Sequence, residues 1–273
     1  MELLYRRIMS WGWMRVAGDE YTPSFYRALK ESARKSAETI VPLVMELVPA
    51  DSVVDVGCGL GTWLAVFREK GARNILGIDG GWVLREDLDI PRENFVAHDL
   101  TRPLHLGRTF DLVVSLEVAE HLPAESAETF VDTLTRLGST ILFSAAIPLQ
   151  GGVHGGTGHL NEQWPAYWVR LFETRGYAVL DSIRRRVWEN DSVAAWYAQN
   201  TLLFVGKDIM RANAALRVEW ERESRSALPL VHPRIFLGVA DPTNQTAGRI
   251  VRSTVEAIRV LLGRTLRRRN RRG

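Results

Sequence analysis

Cysteine is nearly missing from these 273 residues. The single thiol, Cys58, rules out an internal disulfide and fits a reducing, cytoplasmic setting. Long apolar runs are missing as well. No window approaches 18 uninterrupted apolar residues, so no spanning helix is expected. The opening residues, MELLYRRIMSWGWMRVAGDE, have neither a clean apolar run nor a small-residue cleavage site, and are not read as a secretory signal. Lysine is scarce: only Lys30, Lys35, Lys70 and Lys207 stand among the 35 basic residues. A broad basic face is also lacking. Six arginines sit in RTLRRRNRRG (264–273), and setting them aside turns the formal charge of +3 into −3. A slightly acidic body with a basic tail argues against a nucleic-acid groove across the domain. There are no internal repeats.

What is present is an ordinary globular composition, 46% apolar and 25% charged, enough for one large domain with additions. Residues 23–48 carry helical periodicity interrupted by Pro42. Strand-like and helix-like segments then take turns: SVVDV (52–56), TWLAVFREKG (62–71), NILGID (74–79), NFVAHD (94–99), FDLVVSLE (110–117), PAESAETFVDTLTRLG (123–138) and TILFSAAI (140–147). After the glycine-rich PLQGGVHGGTGH (148–159) comes a helix over 161–176, with Asn161 as its expected N-cap. YAVLDSI (177–183) and NTLLFVG (200–206) read as a closing pair of strands. The alternation predicts an α/β, doubly wound, Rossmann-like sheet of seven mostly parallel strands with helices on both faces. Residues 1–22 form an N-terminal extension and 23–206 the domain. Residues 207–273 form a mainly helical appendage, with 208–224 helical, 228–238 extended and 246–269 an amphipathic helix.

The stretch VVDVGCGLGTWL (53–64) places three glycines at alternate positions directly after a buried strand. Glycine lets a ligand approach the main chain, and a strand-to-helix turn aims free helix N–H groups at it. Dinucleotides and S-adenosylmethionine are both held this way. Gly57, Gly59 and Gly61 form GxGxG, whereas the dinucleotide fingerprint wants glycine or alanine where Thr62 stands. The preceding Asp55 favours S-adenosylmethionine too. Asp79 ends the second strand, where a carboxylate can accept both ribose hydroxyls. Asp99 lies at the end of the third, within reach of an adenine amino group, and Glu117 ends the fourth.

Residues 53–64, Asp79, AHDL (97–100) and FDLVVSLEVAEHLP (110–123) together resemble the successive motifs of the class I S-adenosylmethionine-dependent methyltransferases. FSAAIPLQGGVHGGTGHLNEQWPAYW (143–168), RRVWEN (185–190) and WYAQN (196–200) are similar to a bacterial subgroup associated with polysaccharide and other glycan biosynthesis. The resemblance implies that Gly57, Gly59 and Gly61 face the methionine end of the cofactor. It also implies that Asp79 holds the ribose, Asp99 with Leu100 the adenine, and that Glu117 lies beside the methionine moiety. S-Adenosylhomocysteine would be the product.

A sugar hydroxyl is a weak nucleophile until its proton leaves, and an imidazole, with an ordinary pKa of about 6.5, suits that task. His159, at the end of the glycine-rich loop, is the expected general base of an O-methylation, with His121 and His154 as alternatives. Glu120 and Glu162 are assigned to the acceptor side. Trp188 and Tyr197 are either core or a sugar-stacking wall. A divalent cation such as Mg2+ is another way to lower the hydroxyl's pKa, and Glu117, Glu120, His121, His154 and Glu162 supply ligand types, though at no diagnostic spacing. The Asn/Asp-Pro-Pro-Tyr/Phe motif of many amino-directed enzymes is absent; SLEVAEHLP stands there instead. The alternatives are methylation of another small molecule and a cofactor-binding partner subunit without catalysis. On the last helix Val251, Val255, Ile258, Leu262 and Leu266 share a face, with Arg252, Arg259 and Arg267 largely elsewhere. Such a helix can dock on its own domain, pair two copies in a homo-oligomer, or make peripheral contact with an anionic membrane.

Overall fold

A computed structural model of the chain describes residues 23–151, 158–223 and 228–240. The N-terminal extension, His154 and the amphipathic stretch 246–269 therefore lie outside the described residues. Seven strands form one sheet in the order β3-β2-β1-β4-β5-β7-β6. They are β1 Ser52–Val56, β2 Asn74–Asp79, β3 Phe95–Ala97, β4 Leu112–Leu116, β5 Thr140–Ser144, β6 Tyr177–Leu180 and β7 Leu202–Gly206. Neighbours pair in parallel except β7, which runs antiparallel to both β5 and β6. The sequence pattern predicts this seven-stranded, doubly wound sheet.

Strand alternation divides the core in two. On one face Val53, Leu112, Val114 and Leu203 meet α1 (Pro23–Leu47) and α2 (Thr62–Glu69), together with the short helices α5 (Arg184–Val187) and α6 (Ala195–Asn200). On the other, Val54, Val113, Ile141, Phe143 and Phe204 meet α3 (Ala127–Leu137) and α4 (Pro165–Glu173). There the Phe172 and Phe204 rings stack with centroids 4.0 Å apart, and Phe143 meets Phe172 edge-on at 5.4 Å. β4 and β5 are buried along their whole length, as central strands covered on both faces must be.

Several local expectations are corrected. Pro42 does not interrupt the first helix; α1 runs through it, with Val41 and Val44 buried on either side, so tertiary packing outweighs the lost backbone bond. The fourth helix begins at Pro165 rather than near 161, and its N-cap is Trp164. Asn161 is instead buried, accepting at Oδ1 from Gln163 Nε2. The helix expected over 208–224 is two: α7 Lys207–Ala212 and α8 Ala214–Glu223. Asn213 separates them, and its Oδ1 accepts from the amides of Ala215 and Leu216, which starts α8 afresh. Residues 228–238 are not extended throughout, because Pro233 opens a helix, α9, that runs to Ala240.

α9 is tied to the domain by a polar clamp. Arg184, wholly buried, makes a two-point ion pair with Asp181 at 2.6 Å and also donates to the carbonyls of Gln199 and Leu228. His232 donates its amide to Gln199 Oε1 at 2.8 Å. Among the described residues, no helix is long and apolar enough to cross a membrane.

Candidate functional site

Six of the seven strands, all but β7, deliver their carboxyl ends to one edge of the sheet, and the site residues follow from that edge. After β1 the chain turns through Gly57, Gly59 and Gly61, with φ of 90°, 53° and 80°. A β-carbon on Gly57 would come within 2.3 Å of Val118, and one on Gly61 within 2.9 Å of Ile90, so these two glycines are required by packing. A β-carbon on Gly59 would meet nothing within 4 Å. The loop is thus closed on its flanks and bare at its centre, which leaves Gly59 as a cradle for a ligand.

Asp79 pins this turn. Its carboxylate accepts from the amides of Gly59 at 2.7 Å and Gly80 at 2.6 Å. Burial pushes the Asp79 carboxyl up, and those two amides oppose the shift. Asp55, fully enclosed, is pushed well above the usual carboxylate range by burial and by the charge of Asp79. Two acidic groups therefore face the glycine turn without a cation of their own, a setting that favours a cationic or hydroxyl-rich ligand. Asp99, beyond β3, is half exposed and held locally by the amide and hydroxyl of Thr101 and by Arg102. The adjoining Leu100 is buried. Cys58 is a buried thiol whose pKa burial pushes up, which keeps it protonated and unreactive.

Glu117 follows β4 in the left-handed region, with φ 55°, a strain uncommon for a non-glycine residue and frequent at functional positions. Its amide bonds both Ser144 oxygens at 3.0 Å. Its carboxylate accepts from Gln150 Nε2 at 3.0 Å and Asn200 Nδ2 at 3.1 Å. Gln150 Oε1 in turn accepts from Gln199 and Asn200. Burial raises the Glu117 carboxyl, against the pull of those amides. Gln150, Gln199 and Asn200 were not singled out from sequence. Their only signal in the sequence is one amide residue in PLQGG and two in WYAQN.

Beyond Glu117 a 3-10 turn, Ala119–His121, carries Glu120 and His121. The Glu120 carbonyl accepts from the amides of Leu160 at 2.7 Å and Asn161 at 3.0 Å. This stitch brings His159 against the turn, so that the His121 and His159 rings meet edge to face with centroids 4.8 Å apart. His159 Nδ1 donates to Glu162 Oε1 at 2.7 Å. The Glu162 carboxylate also accepts from the amides of Leu149 and Gly151. Burial raises the Glu162 carboxyl, but these hydrogen bonds outweigh it and hold the group below its ordinary range, hence ionised. Burial and the neighbouring His159 push His121 down to about 4, which keeps it neutral.

Glu120 is wholly buried, and neither carboxylate oxygen has a well-aligned hydrogen-bond partner. Burial and the adjacent Glu117 drive its carboxyl well up; the amides of Glu120 and Ala146 lie close enough only to soften that shift. Glu120, His121 and His159 each offer one donor atom, all within 4.8 Å of one another.

Of the aromatic candidates, Tyr197 lies within electrostatic reach of Glu117 and Asp55, whereas Trp188 packs on His232. Tyr197 is buried edge-on against Trp63 at 5.0 Å, and burial pushes its phenol up. Trp188 packs on His232 at 4.7 Å, and its carbonyl accepts from His232 Nε2.

Residues 27–191 match the family described as a methyltransferase domain. No curated protein matches the sequence. Among solved structures, Streptomyces venezuelae DesVI is 18% identical with a TM-score of 0.51, over 67% of this chain and 95% of its own. SAM-bound CalS10 from Micromonospora echinaspora, an amino pentose methyltransferase involved in calicheamicin biosynthesis, is 14% identical with a TM-score of 0.51, over 70% and 99%. The SAM-bound magnesium protoporphyrin IX methyltransferase of Synechocystis PCC 6803 is 18% identical with a TM-score of 0.49, over 74% and 90%. These likenesses are ones of fold.

Proposed function

Because the chain belongs to the methyltransferase domain family and is an S-adenosylmethionine-dependent methyltransferase, we propose that its acceptor is a hydroxyl of a sugar or oligosaccharide. The carrying observation is the His159–Glu162 pair, set against His121 and beside Glu117 on the edge that holds the glycine turn. The bare centre of that turn at Gly59 and the enclosed carboxylates fit the cofactor. Gly57, Gly59 and Gly61 would face its methionine end, Asp79 the ribose, Asp99 and Leu100 the adenine, and Glu117 the methionine amino group. When bound, S-adenosylmethionine supplies an electrophilic methyl group for the acceptor oxygen and is left as S-adenosylhomocysteine.

The chain's own part is to orient the acceptor and take its proton. Glu162 holds the Nδ1 hydrogen of His159, which leaves Nε2 with the free lone pair. That nitrogen is the base for the hydroxyl proton. A sugar acceptor is supported by the motif resemblance of residues 143–168 and, at the level of fold, by the likeness to an amino pentose methyltransferase.

The test is a screen of mono- and oligosaccharides for S-adenosylhomocysteine release. His159→Ala should lower turnover by roughly 10²–10⁴-fold with S-adenosylhomocysteine affinity unchanged. Unaltered turnover removes His159 from the role. Release with non-sugar acceptors alone redirects the assignment to another small molecule.

A further inference from the structure

We infer that Glu120, His121 and His159 form a binding site for one divalent cation of the first transition row, beside the point where the acceptor hydroxyl is activated. The inference rests on the proposed function's placement of the acceptor and replaces His159 as the base with an ion that His159 helps to hold.

Three observations carry it. The first is the orphaned carboxylate. Glu120 has no exposure, and among the described residues neither of its oxygens has a well-aligned hydrogen-bond partner, the Glu120 and Ala146 amides and the Glu117 carboxyl being its polar neighbours. A buried polar group left this way costs free energy unless something completes it. The second is convergence. The three donor atoms lie within 4.8 Å of one another. Neighbouring ligands bonded at about 2.0–2.2 Å lie about 3.0–3.6 Å apart, so side-chain movements of about 1 Å close the three donors on an ion. Two of the three groups are adjacent on one turn, and the third is fixed to that turn by the Leu160 and Asn161 amides on the Glu120 carbonyl. The third observation is the outer shell. A metal-bound imidazole commonly donates its other N–H to a carboxylate or a carbonyl. His159 Nδ1 meets Glu162, which is itself anchored by two backbone amides. His121 has the Gly158 backbone as its hydrogen-bonding neighbour.

The donor set also selects the ion. Two imidazoles and one carboxylate suit Mn2+, Fe2+, Co2+ or Zn2+, whereas Mg2+ prefers carboxylates and water. The sequence offers a divalent cation such as Mg2+ only as an alternative to the imidazole base. Three protein ligands leave coordination positions open. A hydroxyl oxygen in one of them would lose its proton more readily, the proton passing to bulk water while the His159 lone pair is engaged by the ion.

The full-length chain, stripped with chelator, is titrated with Co2+ and followed by its visible absorption, with equilibrium dialysis for stoichiometry. The expected result is one ion per chain. Binding should be lost in Glu120→Gln and His121→Ala, and be roughly 10- to 100-fold weaker in Glu162→Gln. Circular dichroism and S-adenosylhomocysteine binding check that each variant is folded; where one is not, His159→Gln takes its place. Absence of a stoichiometric ion in the parent protein, or unchanged binding in the folded variants, overturns the site. Glu120 is then a protonated acid beside Glu117. Sugar methylation that survives chelation would leave the proposed function standing without the ion. Full Co2+ binding with no sugar methylated would do the reverse.

Discussion

Glu162 Oε1 accepts the Nδ1 hydrogen of His159 at 2.7 Å, three residues back along the chain. The same carboxylate is gripped by the amides of Leu149 and Gly151, from the far side of the glycine-rich loop. One ionised side chain thus fixes both the tautomer of the imidazole and the place where the loop begins. Replacing Glu162 by Gln keeps the shape and removes the charge. Turnover is expected to fall about tenfold or more, with S-adenosylhomocysteine affinity unchanged by calorimetry. Loss of cofactor affinity in parallel would move Glu162 to a structural role.

The glycine turn separates packing from binding. Gly57→Ala places a β-carbon 2.3 Å from Val118 at φ 90°, and should cost about 1–3 kcal/mol of stability. Gly59→Ala, at φ 53° with open space, should cost about 1 kcal/mol but sharply weaken cofactor binding. Thermal melts and calorimetry on the two variants check the contrast; equal cofactor affinity for Gly59→Ala and the parent would falsify the cradle.

Acidity offers an independent probe through Asp55. Its folded-state carboxyl is raised by burial and by Asp79, so the native protein binds that proton more tightly than the unfolded chain. This contribution strengthens as pH falls and weakens as pH rises above the unfolded value of about 3.9. Asp55→Asn removes the titration. The variant should gain stability relative to the parent as pH rises above about 3.9 towards the raised folded-state value, and lose that gain as pH falls. Urea melts across that range give the answer, and a constant gap would refute it.

In the core, Phe172→Ala removes a fully buried ring stacked on Phe204 and should cost about 3–5 kcal/mol. Asp181→Asn strands the buried Arg184 charge and should cost a similar amount, about 3–5 kcal/mol. Arg184 also holds Leu228, so limited proteolysis of Asp181→Asn should begin near that residue. Melting curves that match the parent would show that neither contact matters.

The sheet and its glycine turn could be read from the sequence because each is written locally. Apolar runs such as LVVSL mark buried strands, and GxGxG marks a close approach of the backbone. Asp79 was placed from its position after β2, and the structure brings it onto the Gly59 amide. Helix starts were less legible. Asn161 has the chemistry of a cap, yet a distant carbonyl, that of Glu120, claims its amide and Pro165 opens the helix instead. Residues 228–238 read as extended because their prolines hid the helix that Pro233 begins. The meeting of His121 and His159 also depends on that carbonyl, and no spacing rule foretells a contact between residues so far apart. Gln150, Gln199 and Asn200 are illegible for the same reason: Gln150 and Asn200 meet the remote Glu117, and Gln199 meets Gln150, only after folding.

Because β7 is inserted head-down between β5 and β6, it greets the crevice with its beginning rather than its end. Asn200 thereby reaches Glu117 from a segment that precedes a strand. The same reversal sends the end of β7 at Gly206 to the opposite rim, yet the described chain comes back, and the His232 amide on Gln199 sets it against the amide network that holds Glu117.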